Sequence, residues 1–203
     1  MTTKKLTGFA LMLGAICYFI ANGIITPMMP TSGPSAELFG SKEFLARLSF
    51  AAASVFFLLV GSIGIFNHQR HKTRWFGTLA FGITFVGSAF VFAHEWGQVF
   101  FLHELANVSP DGLEALVDRD GLNLYSIEAY GVLITFMLGW LLLGISMLLA
   151  RVFNLLGPLL LVGGFFAVPI LAASLPGLWG FIVGNLVIAA GFLLIGRDLS
   201  QAE

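Results

Sequence analysis

Charged residues are scarce in this chain. Only 10% of its 203 residues are Asp, Glu, Lys or Arg, against about 25% in a typical soluble domain. The hydrophobic share is 58% and the mean hydropathy is +0.92. A water-soluble domain of this size could not bury so much apolar surface, because much of any folded surface still faces water. Lipid must therefore surround much of the chain, and the absence of Lys and Arg clusters argues against a nucleic-acid partner.

Cysteine and catalytic signatures are also nearly absent. The single cysteine, Cys17, lies in an apolar run, so it cannot form an intrachain disulfide and carries no compartment signal. The sequence contains no GxSxG, no Walker loop, no dinucleotide-binding glycine fingerprint and no zinc-finger pattern. These absences favour a protein that is not an enzyme, and no cofactor is evident.

Long apolar runs are what the chain has in abundance. A spanning helix needs about 20 apolar residues, and Pro27 and Pro30 end the first such run. That run is too long for a signal-peptide core of about 7–15 residues, which favours a retained anchor. The pattern predicts an all-α, polytopic transmembrane bundle forming one membrane domain with six spans. These lie at about residues 6–26, 46–66, 75–96, 126–150, 153–173 and 178–196.

The connections follow from proline, glycine and charge. The uncharged run from Val152 to Gly196 would make a single helix of about 67 Å, so it must double back, and Ser174-Leu175-Pro176-Gly177 is the predicted turn. Residues 67–74 are predicted as an inside turn. Residues 97–125 are predicted as an outer loop with a short interfacial helix that starts at Pro110.

The distribution of basic residues predicts the orientation. With the N-terminus inside, seven of the ten Lys and Arg residues fall on the cytoplasmic side, among them Arg70, Lys72 and Arg74. Only Lys42, Arg47 and Arg119 fall outside. By the positive-inside rule we expect a multi-pass protein of the cytoplasmic membrane with both termini in the cytoplasm.

One group of polar residues falls at a common depth. His94 lies about 28 Å along a helix from Trp75, and Glu128 lies about 34 Å along a helix from Arg151, so both approach the outer edge of the hydrocarbon layer. If the two helices are neighbours, a candidate ligand-binding site contains His94, Glu95, Gln98, Tyr125 and Glu128.

Three interpretations of this group stay open. It is a polar helix end, at which Trp96 and Tyr125 fit an aromatic belt, or it is an outward-facing pocket for a small organic ligand. The third is a metal site, for which the candidate ligands are His94, His103 and Glu104. A straight helix places His94 and His103 on opposite faces, and neither HExxH nor HxxxH occurs.

Small and polar residues within the spans predict how helices associate. Gly180 and Gly184 form a GxxxG pair, which is typical either of a dimer interface or of packing within the bundle. Asn22, Asn154 and Asn185 are interpreted as interhelical hydrogen-bond partners.

Several segments together suggest a family. A proline-rich first outer loop precedes FLARLSFAAASVFFLLV, the third span ends in HEWGQ, SPDGLEALVDRDGLNLYSIEAYG leads into the fourth span, and LLGPLLLVGGF opens the fifth. Over roughly residues 5–195 this resembles a family of bacterial six-helix integral membrane proteins known as a domain of unknown function. The resemblance implies six spans in a bacterial membrane and implies no activity, ligand or catalytic residue.

Three functions are consistent with these observations. The first is a non-enzymatic bundle that binds or moves a small apolar or amphipathic molecule through an outward-facing pocket. The second is a membrane-embedded, metal-dependent enzyme that uses His94, Glu95, His103 and Glu104. The third is an accessory subunit of a larger membrane complex or a homo-oligomer. The lipid bilayer is a partner in all three.

Overall fold

The computed structural model describes residues 3–29, 33–117, 124–176 and 178–202, with only the backbone of Leu124 described. Pro30, Gly177 and residues 118–123 lie outside the described residues. Within these ranges the chain is helical and has no strand. The helices are α1 (Thr3–Tyr18), a π-helix (Phe19–Ile25), α2 (Thr26–Met28), α3 (Ser35–Gly40), α4 (Lys42–Phe100), α5 (Leu102–Val108), α6 (Pro110–Val117), α7 (Leu124–Ala150), α8 (Leu156–Ser174) and α9 (Trp179–Gln201).

Helix α4 is folded back on itself at Arg74. Arg74 is the one residue in it with non-helical angles, at φ 51° and ψ −135°. Arg47 bonds to Glu95, 48 residues further along, whereas a straight helix would separate them by about 72 Å. The two arms, α4a (42–73) and α4b (75–100), therefore form an antiparallel hairpin.

The predicted eight-residue inside turn at 67–74 is wrong in its length. Every residue in it except Arg74 is helical. Gln69 is fully buried and donates from Nε2 to Ser146 Oγ of α7 at 3.1 Å. Gln69 thus packs against α7, whereas Arg70 and Lys72 on the same segment are exposed.

Five helices in the described ranges are long and apolar enough to cross a membrane: Thr3–Met28, Lys42–Val108, Tyr125–Ala150, Leu156–Ser174 and Trp179–Gln201. The second of them contains both of the predicted spans 46–66 and 75–96. The chain is therefore an all-helical bundle of the multi-pass membrane type, and its helices begin and end within several residues of the predicted bounds.

The long helices pack in a ring. α8 packs on α9, α9 on α1, α1 on α4, α4 on α7, and α7 on α8. Trp140 of α7 lies at the centre with no exposed surface, and its Nε1 donates to Ser88 Oγ of α4b at 3.2 Å. The ring encloses one apolar core to which all the long helices contribute.

Glycines set the closest approaches within the ring. A Cβ at Gly180 would lie 2.2 Å from the carbonyl oxygen of Leu171, and one at Gly184 would lie 2.8 Å from the Cα of Val168. The GxxxG face of α9 is therefore occupied by α8 of the same chain, which accounts for the pair by packing within the bundle rather than by a dimer.

Three short helices cover one end of the ring. α3 and α5 pack on α4, and α6 packs on α3 and α5, around a second apolar core that includes Phe39, Phe44, Leu102 and Leu113. The predicted outer loop at 97–125 is therefore helical over most of its described part. A short helix does start at Pro110. Glu114 of α6 accepts a hydrogen bond from the Ala36 amide, which ties α6 to the start of α3 at 2.7 Å.

Candidate functional site

The hairpin arm α4b and helix α7 bring the predicted polar residues together. His94 Nδ1 lies 2.8 Å from Glu128 Oε2, and the rings of His94 and Tyr125 have centroids 6.3 Å apart. The two helices run antiparallel in close contact, because Gly87 and Gly139 carry no side chain where the backbones meet. The two helices are therefore neighbours, which was the condition on which the predicted site depended.

Four of the five predicted site residues line one cavity beneath the short helices. We call this cavity, of about 290 Å³, the outer chamber. Glu128 lies beside it, bonded to His94, with 48% of its side chain exposed. The residues that line the outer chamber are Phe39, Phe44, Arg47, Val91, His94, Glu95, Gln98, Tyr125, Ala129, Val132 and Leu133.

Unpaired polar groups distinguish the outer chamber from an ordinary helix end. Gln98 is only 8% exposed and lines the chamber, yet among the described residues its side chain makes no hydrogen bond. The hydroxyl of Tyr125 likewise has no hydrogen-bond partner in the described part of the chain. Both groups therefore have hydrogen-bonding capacity that is available to a bound molecule or to water.

Arg47 is the site residue that sequence reasoning missed. The sequence identifies it only as one of three basic residues on the predicted outer side. In the fold its Nη1 donates to Glu95 Oε2, with side-chain exposures of 20% and 9%. The signal available in the sequence was a basic residue next to an apolar run, on the predicted outer side, where basic residues are rare. Its partner on α4b was not visible in the sequence.

A second, smaller cavity adjoins the first. This inner chamber, of about 180 Å³, extends between α1, α4, α7, α8 and α9. Arg47, Val91, Glu95 and Leu133 line both chambers, so the ion pair stands between them. The other residues that line the inner chamber are Tyr18, Asn22, Ala51, Ser54, Val55, Phe136, Met137, Phe165, Val168, Pro169 and Ile188.

The hydroxyl groups of the inner chamber already have partners. The Tyr18 hydroxyl donates to Asn185 Oδ1 at 2.8 Å, and the Ser54 hydroxyl donates to the Gly14 carbonyl at 3.0 Å. Asn185 is thus the interhelical partner that the sequence predicted. Asn154 instead caps the start of α8, where its side chain accepts from the Leu156 amide at 3.0 Å. With its hydroxyls satisfied, the inner chamber presents mainly carbon to its contents.

The predicted metal ligands do not meet in one place. His103 Nδ1 lies 2.9 Å from the carbonyl oxygen of Phe39 on α3, whereas His94 is bonded to Glu128. Glu104 is exposed on α5. Across residues 3–29, 33–117, 124–176 and 178–202, no group of three or more His, Cys, Asp or Glu side chains is arranged to hold a metal ion. The metal-dependent enzyme and the accessory subunit stay predictions.

Comparisons with protein-family models, with curated proteins and with solved structures find no match. The resemblance to bacterial six-helix membrane proteins also stays a prediction.

Proposed function

We propose that this chain is a six-span protein of a bacterial cytoplasmic membrane that binds, and thereby can move, a small amphipathic molecule. The observation that carries the proposal is the pair of adjoining chambers. The lining of one includes two polar side chains without a hydrogen-bond partner among the described residues, Gln98 and Tyr125, and the other is mainly apolar with its hydroxyls satisfied. An amphipathic molecule likewise has a polar end joined to an apolar end, so its two ends match the two adjoining chambers.

Each chamber would bind one end of such a molecule. A polar head in the outer chamber would meet the Gln98 amide and the Tyr125 hydroxyl, which gain the hydrogen bonds that they lack. An apolar tail in the inner chamber would contact Phe136 and Phe165, with about 0.8 kcal/mol gained for each methylene removed from water. Ligand pockets of this kind are mostly apolar with a few placed polar groups.

Six spans and the orientation belong to the same proposal. Each arm of α4 is longer than the roughly 20 residues that a crossing requires, and the hairpin bend contains the basic residues Arg70, Lys72 and Arg74. The positive-inside rule puts that bend in the cytoplasm. The outer chamber, at the opposite end of both arms, then faces outward.

Cysteine labelling tests the orientation. In a Cys17→Ser background, we expect Lys72→Cys to be inert and Glu104→Cys to react when a membrane-impermeant maleimide is added to intact spheroplasts. After permeabilisation both should react. Labelling of Lys72→Cys in intact spheroplasts would reverse the orientation and turn the outer chamber toward the cytoplasm.

Binding itself is tested with three probes that share one tail. Octyltrimethylammonium, octyl glucoside and octyl sulfate are equilibrated with the protein in phosphatidylcholine nanodiscs and, in parallel, with empty nanodiscs. We expect at least one probe to bind saturably above the empty discs. Ala51→Leu, which fills the inner chamber, should weaken that binding about tenfold, the equivalent of about 1.4 kcal/mol of lost tail burial.

The matched control for that variant lies two residues away. Ala53 lines neither chamber and is half-buried, so Ala53→Leu adds the same side chain to the same helix without entering the cavity. We expect its affinity to equal that of the unsubstituted protein. If no probe saturates, or if both variants weaken binding equally, the two-chamber proposal is wrong.

A further inference from the structure

The charge of the polar head can be argued from the groups around the outer chamber. Four ionisable side chains, Arg47, Glu95, His94 and Glu128, occupy two bonded pairs at this end of α4 and α7. The two pairs differ in how completely the positive charge in each neutralises the carboxylate. The net charge that remains decides whether the chamber accepts a cationic or an anionic head.

The only cation lining the outer chamber in the described part of the chain is already committed. Arg47 Nη1 is bonded to Glu95 Oε2, and Glu95 is buried, with 9% of its side chain exposed. An anionic head that approached Arg47 would lie beside the Glu95 carboxylate as well. Breaking the existing pair to free the guanidinium would leave Glu95 as an unpaired buried charge, which is strongly unfavourable.

The second pair leaves a carboxylate in excess. His94 gives Glu128 a hydrogen bond, whereas the Arg47 guanidinium is the only group of the four with a permanent positive charge. The two carboxylates therefore outnumber the permanent cation by one. Glu128 is half exposed beside the chamber, where an incoming cation can reach it without first displacing Arg47.

The short helices above the chamber add further negative charge at this end of the bundle. Glu37, Glu104 and Asp111 are exposed on α3, α5 and α6, and none of the described residues of these three helices is Lys or Arg. Summed charges of one sign around a cleft raise the local concentration of the opposite ion. A cation is therefore favoured on approach as well as in the chamber.

We infer that the molecule bound in the two chambers is a cationic amphiphile, an amine or quaternary ammonium on an apolar body, whose charge is held by the Glu128 and Glu95 side of the outer chamber. This rests on the proposed function and adds the class of ligand to it. The polar head contacts Gln98 and Tyr125, the positive charge lies against the surplus carboxylate, and the tail occupies the inner chamber.

The three octyl probes test this charge preference directly. We expect octyltrimethylammonium to bind at least tenfold more tightly than octyl sulfate, with octyl glucoside between them. Glu128→Gln removes the surplus charge without altering a span-filling side chain, and should lower the ammonium preference about fivefold, the scale of one partly exposed charge interaction. Glu37→Gln removes an exposed charge from α3 that does not line the chamber, and as the control it should lower the preference by much less than Glu128→Gln does.

The outcomes separate the two levels of the proposal. If octyl glucoside or octyl sulfate binds as tightly as the ammonium, the cationic class is wrong while the two-chamber site stands. If the ammonium binds most tightly and Glu128→Gln changes nothing, or if Glu37→Gln lowers the preference equally, the assignment of the charge to this chamber is wrong. If none of the three binds above empty discs, the proposed function fails and the ligand class with it.

Discussion

Replacing Glu95 with leucine is expected to destabilise the protein by about 3 kcal/mol or more, because it strands the Arg47 guanidinium between the two chambers. Removing one partner of a buried ion pair costs about 3–5 kcal/mol in other proteins, and guanidinium cannot shed its charge by losing a proton. Folded proteins are stable by only about 5–15 kcal/mol. Denaturation in detergent micelles, followed by the fluorescence of the four tryptophans, measures the effect.

Arg47→Met leaves the Glu95 carboxylate without its partner, and should also destabilise the protein because an unpaired buried charge remains. The double variant Arg47→Met/Glu95→Leu removes both charges and replaces them with apolar groups of similar size. It should recover most of the stability lost in Glu95→Leu, since buried pairs are often replaceable by well-packed apolar residues.

The chain offers a matched control in its second Arg–carboxylate pair. Arg197 and Asp198 are 3.4 Å apart with the arginine 52% exposed, and an exposed pair contributes about 0–1 kcal/mol. Arg197→Met should therefore change stability little. Equal effects of Arg197→Met and Glu95→Leu, or a double variant no better than Glu95→Leu, would contradict the assignment of a buried pair.

The second large effect concerns the replacement of glycine by alanine, which should lower or raise the stability of the protein depending on where the glycine lies. At Gly139 a Cβ would lie 2.5 Å from the Thr84 Cα, and at Gly87 it would lie 2.8 Å from the Phe136 amide nitrogen. Both obstacles are backbone, so α4b and α7 must separate. We expect Gly139→Ala and Gly87→Ala each to destabilise the protein by about 1–3 kcal/mol, the usual cost of overpacking.

Gly82 and Gly131 lie on the same two helices and have nothing within 4 Å of a built Cβ. Alanine favours the helix by about 1 kcal/mol over glycine, so Gly82→Ala and Gly131→Ala should be neutral or stabilising. The same denaturation measurement compares all four variants. Four changes of one sign would show that α4b and α7 do not meet at these glycines.

Separation of α4b and α7 has a second consequence. The bond from His94 to Glu128 joins the same two helices, so Gly139→Ala should also weaken binding of the octyl probes. Gly131→Ala should not, because it leaves the helix contact intact. We therefore expect Gly139→Ala to lower both stability and probe binding, and Gly131→Ala on the same helix to preserve both.

The candidate site was only partly predictable from the sequence. Depth counting placed His94 and Glu128 at one level, and the structure bonds them. The same counting gave no hint that Arg47 reaches Glu95, since their meeting depends on how far α4a and α4b are rotated about their own axes. The three short helices that cover one end of the ring were predicted as loop with one short helix. The reason is that α3 and α5 are too short and too polar at their ends to show a spanning pattern.

Rotation is poorly specified by sequence in this kind of protein for a physical reason. In water an amphipathic stripe marks the face that is buried, but lipid tails are as apolar as a protein core, so each face of a span can carry the same side chains. Phe136 in the core and Leu138 toward the outside of α7 illustrate this.

Composition and run length alone determined that the chain is helical, that its long helices are apolar enough to cross a membrane and roughly where each of them begins and ends, because these properties depend on neighbouring residues. The tertiary structure alone decided that the bend of α4 is confined to Arg74, that Arg47 meets Glu95 and that two chambers adjoin at this pair. Those features depend on how each helix is rotated about its own axis, and such rotation leaves no periodic trace in this sequence.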